Sequence, residues 1–465
     1  MELKILLFNF LSFLFIASLP IKSVAQVKSP EYEWEKGSIV ETGEQKPFWL
    51  IANRDGKYLP NHSVLYSNFL VYSEKDTSKD FAINYSLEAS ASLSKNLDIR
   101  LNQYYLDFQY KFLKLQTGAR SESFGNHSSF VSGGSIIYSE NARPLPKVAL
   151  LSDGYIDIPY TREYIKIKGY IAHGWMGENR YVPQTLLHHK YGYIKFGGDL
   201  PVNLHYGLQH LVLWGGISPD HGELPNGFNA FKKIFFANAA DSTAPSNEAL
   251  NALGDHRGSH NFGVEYKSDK FNINLYFQSI FEDNSGMVLK NFPDGLWGIS
   301  YADKNKHSFL QHAVYEWIYT KYQSGERIEP SGSGNDNYFN NSIYRNGWTN
   351  ELFTIGTPFI TSPVMNDDNS ERILNSRVIG HHIGFIGWIN PNLNYITHLS
   401  YTLNYGTHTK SFNPPKNQLS FLLQMEYNIK QWDNISLRGG LGFDMGEIYG
   451  DNFGLELSII KSGAF

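Results

Sequence analysis

The chain has 465 residues, with 40 Lys and Arg against 45 Asp and Glu, and the formal charge of -5 argues against nucleic acid as a partner. The absence of Cys excludes disulfide scaffolds, zinc-thiolate sites, thiol nucleophiles and a lipidated Cys. Aromatic residues reach 15% (30 Tyr, 31 Phe and 9 Trp) beside 41 Gly, while charged residues are only 18%, a balance that points away from ordinary soluble domains.

Residues 1–25 read as a secretory signal peptide. Lys4 precedes an apolar run from Ile5 to Leu19, and Ser23-Val24-Ala25 places small residues before a cleavage point at Gln26. The run is shorter than the roughly 20 residues a spanning helix needs. Residues 26–465 then form one β-barrel domain. From Phe81 the apolar residues Ile83, Tyr85, Leu87, Ala89, Ala91 and Leu93 alternate with Asn84, Ser86, Glu88, Ser90 and Ser92. The stretches 139–160, 214–261, 282–310 and 323–350 break this alternation and are rich in Gly, Pro, Asn and Asp, so they read as long loops. Inside the second, Phe228, Phe231, Ile234 and Phe235 share one helical face, which predicts a short amphipathic helix packed on the barrel wall or folded into the lumen. Ser331-Gly332-Ser333-Gly334-Asn335-Asp336-Asn337 reads as a flexible loop tip.

Alternation returns from Tyr395 to Tyr405, Leu419 to Ile429, Ile435 to Met445 and Phe453 to Phe465. Soluble strands are typically five or six residues, whereas a tilted strand crossing a bilayer needs about 9 to 11. These segments reach the longer class. With the leader and the terminal Phe465, they predict a transmembrane antiparallel β-barrel with aromatic girdles, and the C-terminal spacing predicts 16–20 strands. A terminal aromatic residue also looks like the signal by which barrel assembly machinery engages a substrate.

Catalytic signatures are weak. Asp255-His256 has the residue types of half an acid/base pair, and Glu282-Asp283 with Asp294 could serve hydrolysis or a cation, but Asp-His in a loop and Asp-Asn-Ser-Gly at 283–286 also order turns. His188-His189 and His381-His382 are unpersuasive as metal sites, because strand neighbours point to opposite faces. No metal or cofactor is expected. Sugar binding fits better: Tyr338 in Asn337-Tyr338-Phe339-Asn340-Asn341, and Tyr344, Arg345 and Trp348 in Tyr344-Arg345-Asn346-Gly347-Trp348, combine flat apolar rings with planar polar groups. The same rings would equally serve an interfacial girdle.

Four ordered blocks carry a family resemblance. Pro47-Phe48-Trp49-Leu50-Ile51-Ala52-Asn53-Arg54-Asp55-Gly56; Ser132-Gly133-Gly134 with Asn141-Ala142-Arg143-Pro144-Leu145-Pro146; Asn251-Ala252-Leu253-Gly254-Asp255-His256; and Asn291-Phe292-Pro293-Asp294-Gly295-Leu296-Trp297-Gly298 resemble the capsule assembly protein Wzi family. The resemblance implies an outer-membrane barrel of about 18 strands that acts as a lectin for capsular or related surface polysaccharide. Enterobacterial members also carry a small helical bundle, whereas here only the stretch around 228–240 looks helical. Arg143 suits a uronic or sialic carboxylate, although a Pro-flanked lumenal Arg also suits loop carbonyls. The block residues Asp255, His256, Asp294 and Trp297 join Arg143, Tyr338, Tyr344, Arg345 and Trp348 as polysaccharide-binding candidates. The reading is therefore a non-enzymatic monomer in the cell outer membrane that binds exported polysaccharide and helps attach or assemble it. Its other expected partners are outer-membrane lipid and, through Phe465, the barrel assembly machinery. The alternatives are a diffusion channel for oligosaccharides or other solutes, and a hydrolase.

Overall fold

Strand pairing runs around the molecule without an open edge. The computed structural model describes residues 30–73, 80–125, 131–237, 253–326, 334–366, 368–432 and 434–465; the leader at 1–25 and the loop-tip residues 331–333 lie outside them. Eighteen antiparallel strands follow in chain order. They are β1 (Glu31–Thr42), β2 (Val64–Tyr72), β3 (Phe81–Leu93), β4 (Leu97–Tyr110), β5 (Leu113–Ala119), β6 (Pro146–Ser152, resumed at Ile156–Asp157), β7 (Ile165–Trp175), β8 (Leu186–Phe196) and β9 (Val202–Trp214). The second half is β10 (Asp255–Lys267), β11 (Phe271–Phe281), β12 (Gly295–Asp303), β13 (His312–Tyr319), β14 (Val378–Asn390), β15 (Leu393–Gly406), β16 (Ser411–Ile429), β17 (Ile435–Gly446) and β18 (Asn452–Ala464). β1 pairs with β18 from Glu31↔Ala464 to Thr42↔Phe453, which closes the barrel and satisfies the backbone groups of both would-be edges.

The period of two sorts residues across this wall. On β18, Phe453, Leu455, Leu457 and Ile459 are exposed toward lipid, while Glu456 and Ser458 are buried in the lumen. On β3, Leu87 faces out and Asn84, Ser86, Glu88 and Ser90 face in. A soluble protein would hide the first set; a bilayer reverses the preference. Three of the expected loops are shorter than the sequence suggested. β12 lies wholly inside 282–310, β10 begins at Asp255, and β6 occupies part of 139–160. At β12 the lumenal row is interrupted by Gly298, where a Cβ would fall 2.1 Å from the Tyr276 ring, so packing removed the side chain that alternation needs.

The two ends differ. Where the described chain begins and ends, connections are short: 73–80, 111–112, 197–201, 268–270, 391–392 and 430–434. The opposite end carries 43–63, 120–145, 215–254 and 320–377. Short turns mark the periplasmic side of such barrels, so the long loops are extracellular. Three of them fold back into the lumen as a plug with its own core, including Trp49, Ile136, Ile137, Phe339, Trp348 and Phe359. In the fourth, Asp220 and Leu224 meet the plug, while the helix that follows turns to the other side of the wall. This helix, α1 (Phe228–Phe236), lays Ala230 and Ile234 against Val212 and Trp214, on the outward side of β9. Phe228, expected on the packed face, is instead 74% exposed.

Plug and wall are joined by charged and hydrogen-bonded pins. Arg54 forks onto Glu456 at 2.8 and 2.9 Å, Lys57 meets Glu88 at 2.5 Å, and Arg120 meets Asp107 at 3.0 Å. Phe48 N–H donates to Asp444 (2.9 Å), and Trp49 Nε1–H donates to Ser400 (3.0 Å) with its ring stacked on His398. Lumenal carboxylates thus meet plug cations and amides, as burial of charge requires.

Candidate functional site

The extracellular mouth brings two polar clusters together on one segment, 341–351. In the first, Glu351 accepts from Arg143 Nη1 (2.5 Å) and from Arg100 Nη1 (3.1 Å), while Arg143 Nη2 donates to the Leu101 carbonyl (2.7 Å). Arg143 thus meets a carboxylate of its own chain and a carbonyl of strand β4, not the loop carbonyls that the sequence suggested. In the second, Arg345 lies over the Tyr181 ring, 4.4 Å from its centroid, and Arg345 Nη2 donates to Asp220 (2.5 Å). Tyr181 O–H donates to the same carboxylate at 2.8 Å. Arg345 Nε and Nη1 donate to no protein group among the described residues, and its side chain is 38% exposed. This is a fixed guanidinium with unused donors beside an aromatic ring and a carboxylate.

The loop backbone explains why the group holds its shape. Asn346 accepts from Tyr181 N–H (2.5 Å) and donates to Glu371 (2.7 Å). Arg180 donates to the carbonyls of Thr349 (2.9 Å) and Gly347 (3.3 Å). Gly347 has φ +65, and a Cβ there would sit 2.0 Å from the Phe339 carbonyl, so the turn between the two clusters needs glycine.

The remaining candidates lie elsewhere. Trp348 has no exposed surface; its indole donates to the Ile137 carbonyl at 2.6 Å, and the Arg257 guanidinium lies 4.8 Å from its ring. Tyr338 is buried with its hydroxyl on Asp294 (2.8 Å), and Tyr344 is buried with its hydroxyl on the Gly215 carbonyl (3.2 Å). Asp294 also accepts from the N–H groups of Tyr322 (3.0 Å) and Gln323 (2.6 Å). Burial pushes Asp294 up to about 7 despite those donors. Trp297 faces outward, stacked 3.9 Å from Phe277 near Phe292 and Trp317, as one element of the extracellular aromatic girdle.

Asp255 and His256 separate across the wall. Asp255 points into the lumen and pairs with Arg257, which also reaches Glu282 (3.1 Å); His256 points outward, with Nδ1 2.9 Å from His210 Nε2. Burial pushes Glu282 up to about 8 against the pull of Arg257. Asp283 accepts from the N–H groups of Ser285 (2.8 Å) and Gly286 (3.1 Å), the turn role noted above. Two residues of the mouth, Tyr181 and Asp220, carry no local signal; Asp220 is 125 positions from Arg345.

A model of the capsule assembly protein Wzi family matches residues 38–361. Among solved structures, the chain is similar to Wzi of Escherichia coli, an outer membrane protein involved in group 1 capsule assembly and a carbohydrate-binding β-barrel. The TM-score is 0.58 at 13% identity, over 93% of this chain and 84% of that one. OccK5 (OpdH) of Pseudomonas aeruginosa follows, with a TM-score of 0.50 at 8% identity over 94% of this chain and 98% of that one. No curated protein matches the sequence.

Proposed function

The chain belongs to the capsule assembly protein Wzi family, and from that premise we propose that it is a non-enzymatic lectin of the outer membrane, holding exported polysaccharide at its extracellular mouth. The observation that carries this reading is the Arg345–Tyr181–Asp220 group: a half-exposed guanidinium with open donors, held over an aromatic ring beside a carboxylate. Saccharides are recognised by such pairings of a ring face with planar hydrogen-bonding groups. Arg143 of the 120–145 loop and Arg100 of β4, both joined to Glu351, extend the surface beside that segment.

The buried candidates have another part in this reading. Tyr338, Tyr344, Trp348, Asp255 and Asp294 hold the plug loops in position beneath the surface, and Trp297 meets the lipid interface. The diffusion-channel alternative lacks comparable support, because the plug closes the lumen at its extracellular end with a packed core and pins itself to the wall. Hydrolysis by Asp255 and His256 is disfavoured by their placement on opposite faces of β10. The protein acts as a monomer, and Phe465 engages the barrel assembly machinery. A glycan array probed with detergent-purified protein and with Arg345→Ala tests the reading. Saturable binding of acidic or neutral surface glycans that the variant weakens supports it; an array without binding overturns it.

A further inference from the structure

The lumen has a second polar surface, below the plug and near the periplasmic ends of β7 to β10. Lys168 lies on the inward row of β7, since Ile167 and Ile171 on the other row face lipid. Its ammonium sits over three rings: Tyr193 at 4.5 Å, Tyr155 at 5.2 Å and Tyr191 at 5.7 Å. No carboxylate pairs with it among the described residues. The neighbouring cations are already spent, for Lys195 reaches Glu265 at 2.8 Å, and Lys267 reaches Glu265 at 3.7 Å and Asn203 at 3.2 Å. Glu265 therefore already serves two ammonium groups, with His205 Nε2 3.4 Å from the same carboxylate.

The site is built rather than incidental. Tyr193 is 3% exposed, and its hydroxyl has no hydrogen-bond partner among the described residues. Its ring occupies the space over Gly207, where a Cβ would fall 2.2 Å from it. A cation over a ring is attracted by the ring face but hydrogen-bonds to nothing there, so the N–H donors of the ammonium stay unanswered. Aromatic rings and an uncompensated cation have the complement of an acidic sugar, with its C–H faces and carboxylate.

We propose that this wall is a second saccharide subsite, open toward the periplasm, which takes a uronic acid unit with Lys168 as the counter-ion of its carboxylate. The class of ligand rests on the lectin reading; the place and the charge rest on the residues above. The test is titration calorimetry on the full chain in detergent, with a glucuronate-containing oligosaccharide and its carboxyl-reduced, neutral counterpart. Lys168→Met is expected to weaken the acidic ligand at least about tenfold, and Lys168→Arg to retain most of the affinity, while neither changes binding of the neutral ligand. Equal affinity of wild type and Lys168→Met, or equal affinity for the two ligands, would overturn the proposal. Arg345→Ala separates it from the surface reading. If only Lys168→Met weakens binding, the surface reading fails alone; if only Arg345→Ala does, this proposal fails alone.

Discussion

Glu316 on β13 is a buried lumenal carboxylate that accepts from four groups: Tyr276 O–H (2.5 Å), Ser132 O–H (2.6 Å), Gly133 N–H (2.6 Å) and His382 Nδ1 (3.0 Å). Two of these donors belong to the plug, so one side chain joins it to the wall. Beside it, a Cβ on Gly133 would fall 2.5 Å from the Phe359 ring, which explains a glycine in this tight approach. Glu316→Ala leaves the donors buried and unanswered, and a loss of about 3–5 kcal/mol is expected in the unfolding free energy, together with more frequent channel openings in planar bilayers. A variant as stable and as closed as the parent would remove Glu316 from that role. The mouth behaves differently. Arg345 and Asp220 form an exposed pair, worth about 0–1 kcal/mol to folding, so Arg345→Ala should keep the melting temperature while weakening glycan binding about tenfold or more. Calorimetry and thermal unfolding on the same sample read the two effects separately.

At the scale of elements, two carboxylates of the plug should make its seating depend on pH. Burial pushes Asp55 up to about 6 against the opposing charge of Lys57, and burial with the nearby Asp55 charge pushes Glu140 up to about 7. Because both values are raised in the seated plug, their stabilising effect is full below the ordinary carboxylate range and is lost as pH rises through 6 and 7. The plug should therefore hold better at pH 5 than at pH 8, with Glu140→Gln flattening the slope; an openings record independent of pH in the parent would contradict this. At the last strand, Phe465 packs 5.0 Å from the Tyr32 ring at the barrel seam. Removing it should reduce the amount of heat-modifiable barrel recovered from outer membranes, whereas unchanged recovery would show that assembly does not depend on it. The strands were legible because lipid and lumen impose a two-residue period that each strand carries locally. β12 was not, since Gly298 and its short inward row follow from the Tyr276 ring on a neighbouring strand. The same limit applies to the mouth: Arg345 could be named from its loop, but Tyr181 and Asp220 join it only through the fold. Composition likewise could not tell that Trp348 is plug core while Arg345, three positions away, is open to solvent.

The whole molecule reads as a wall that fits lipid and an interior organised around polar attachments. Closure of β1 on β18 leaves no unpaired edge in the membrane, and the aromatic rows at Phe277, Trp297 and Trp317 mark the extracellular rim. The plug closes the lumen from outside, which leaves the mouth loops as a surface rather than an entrance. That arrangement suits a protein of a capsule assembly family that retains a polymer instead of passing it. The most direct test is the amount of polysaccharide held on cells against that shed into the medium, compared between cells carrying the parent chain and cells carrying Arg345→Ala with Tyr181→Ala at equal barrel levels. Retention by the parent and shedding by the double variant is the expected result; equal retention in both would contradict the central claim.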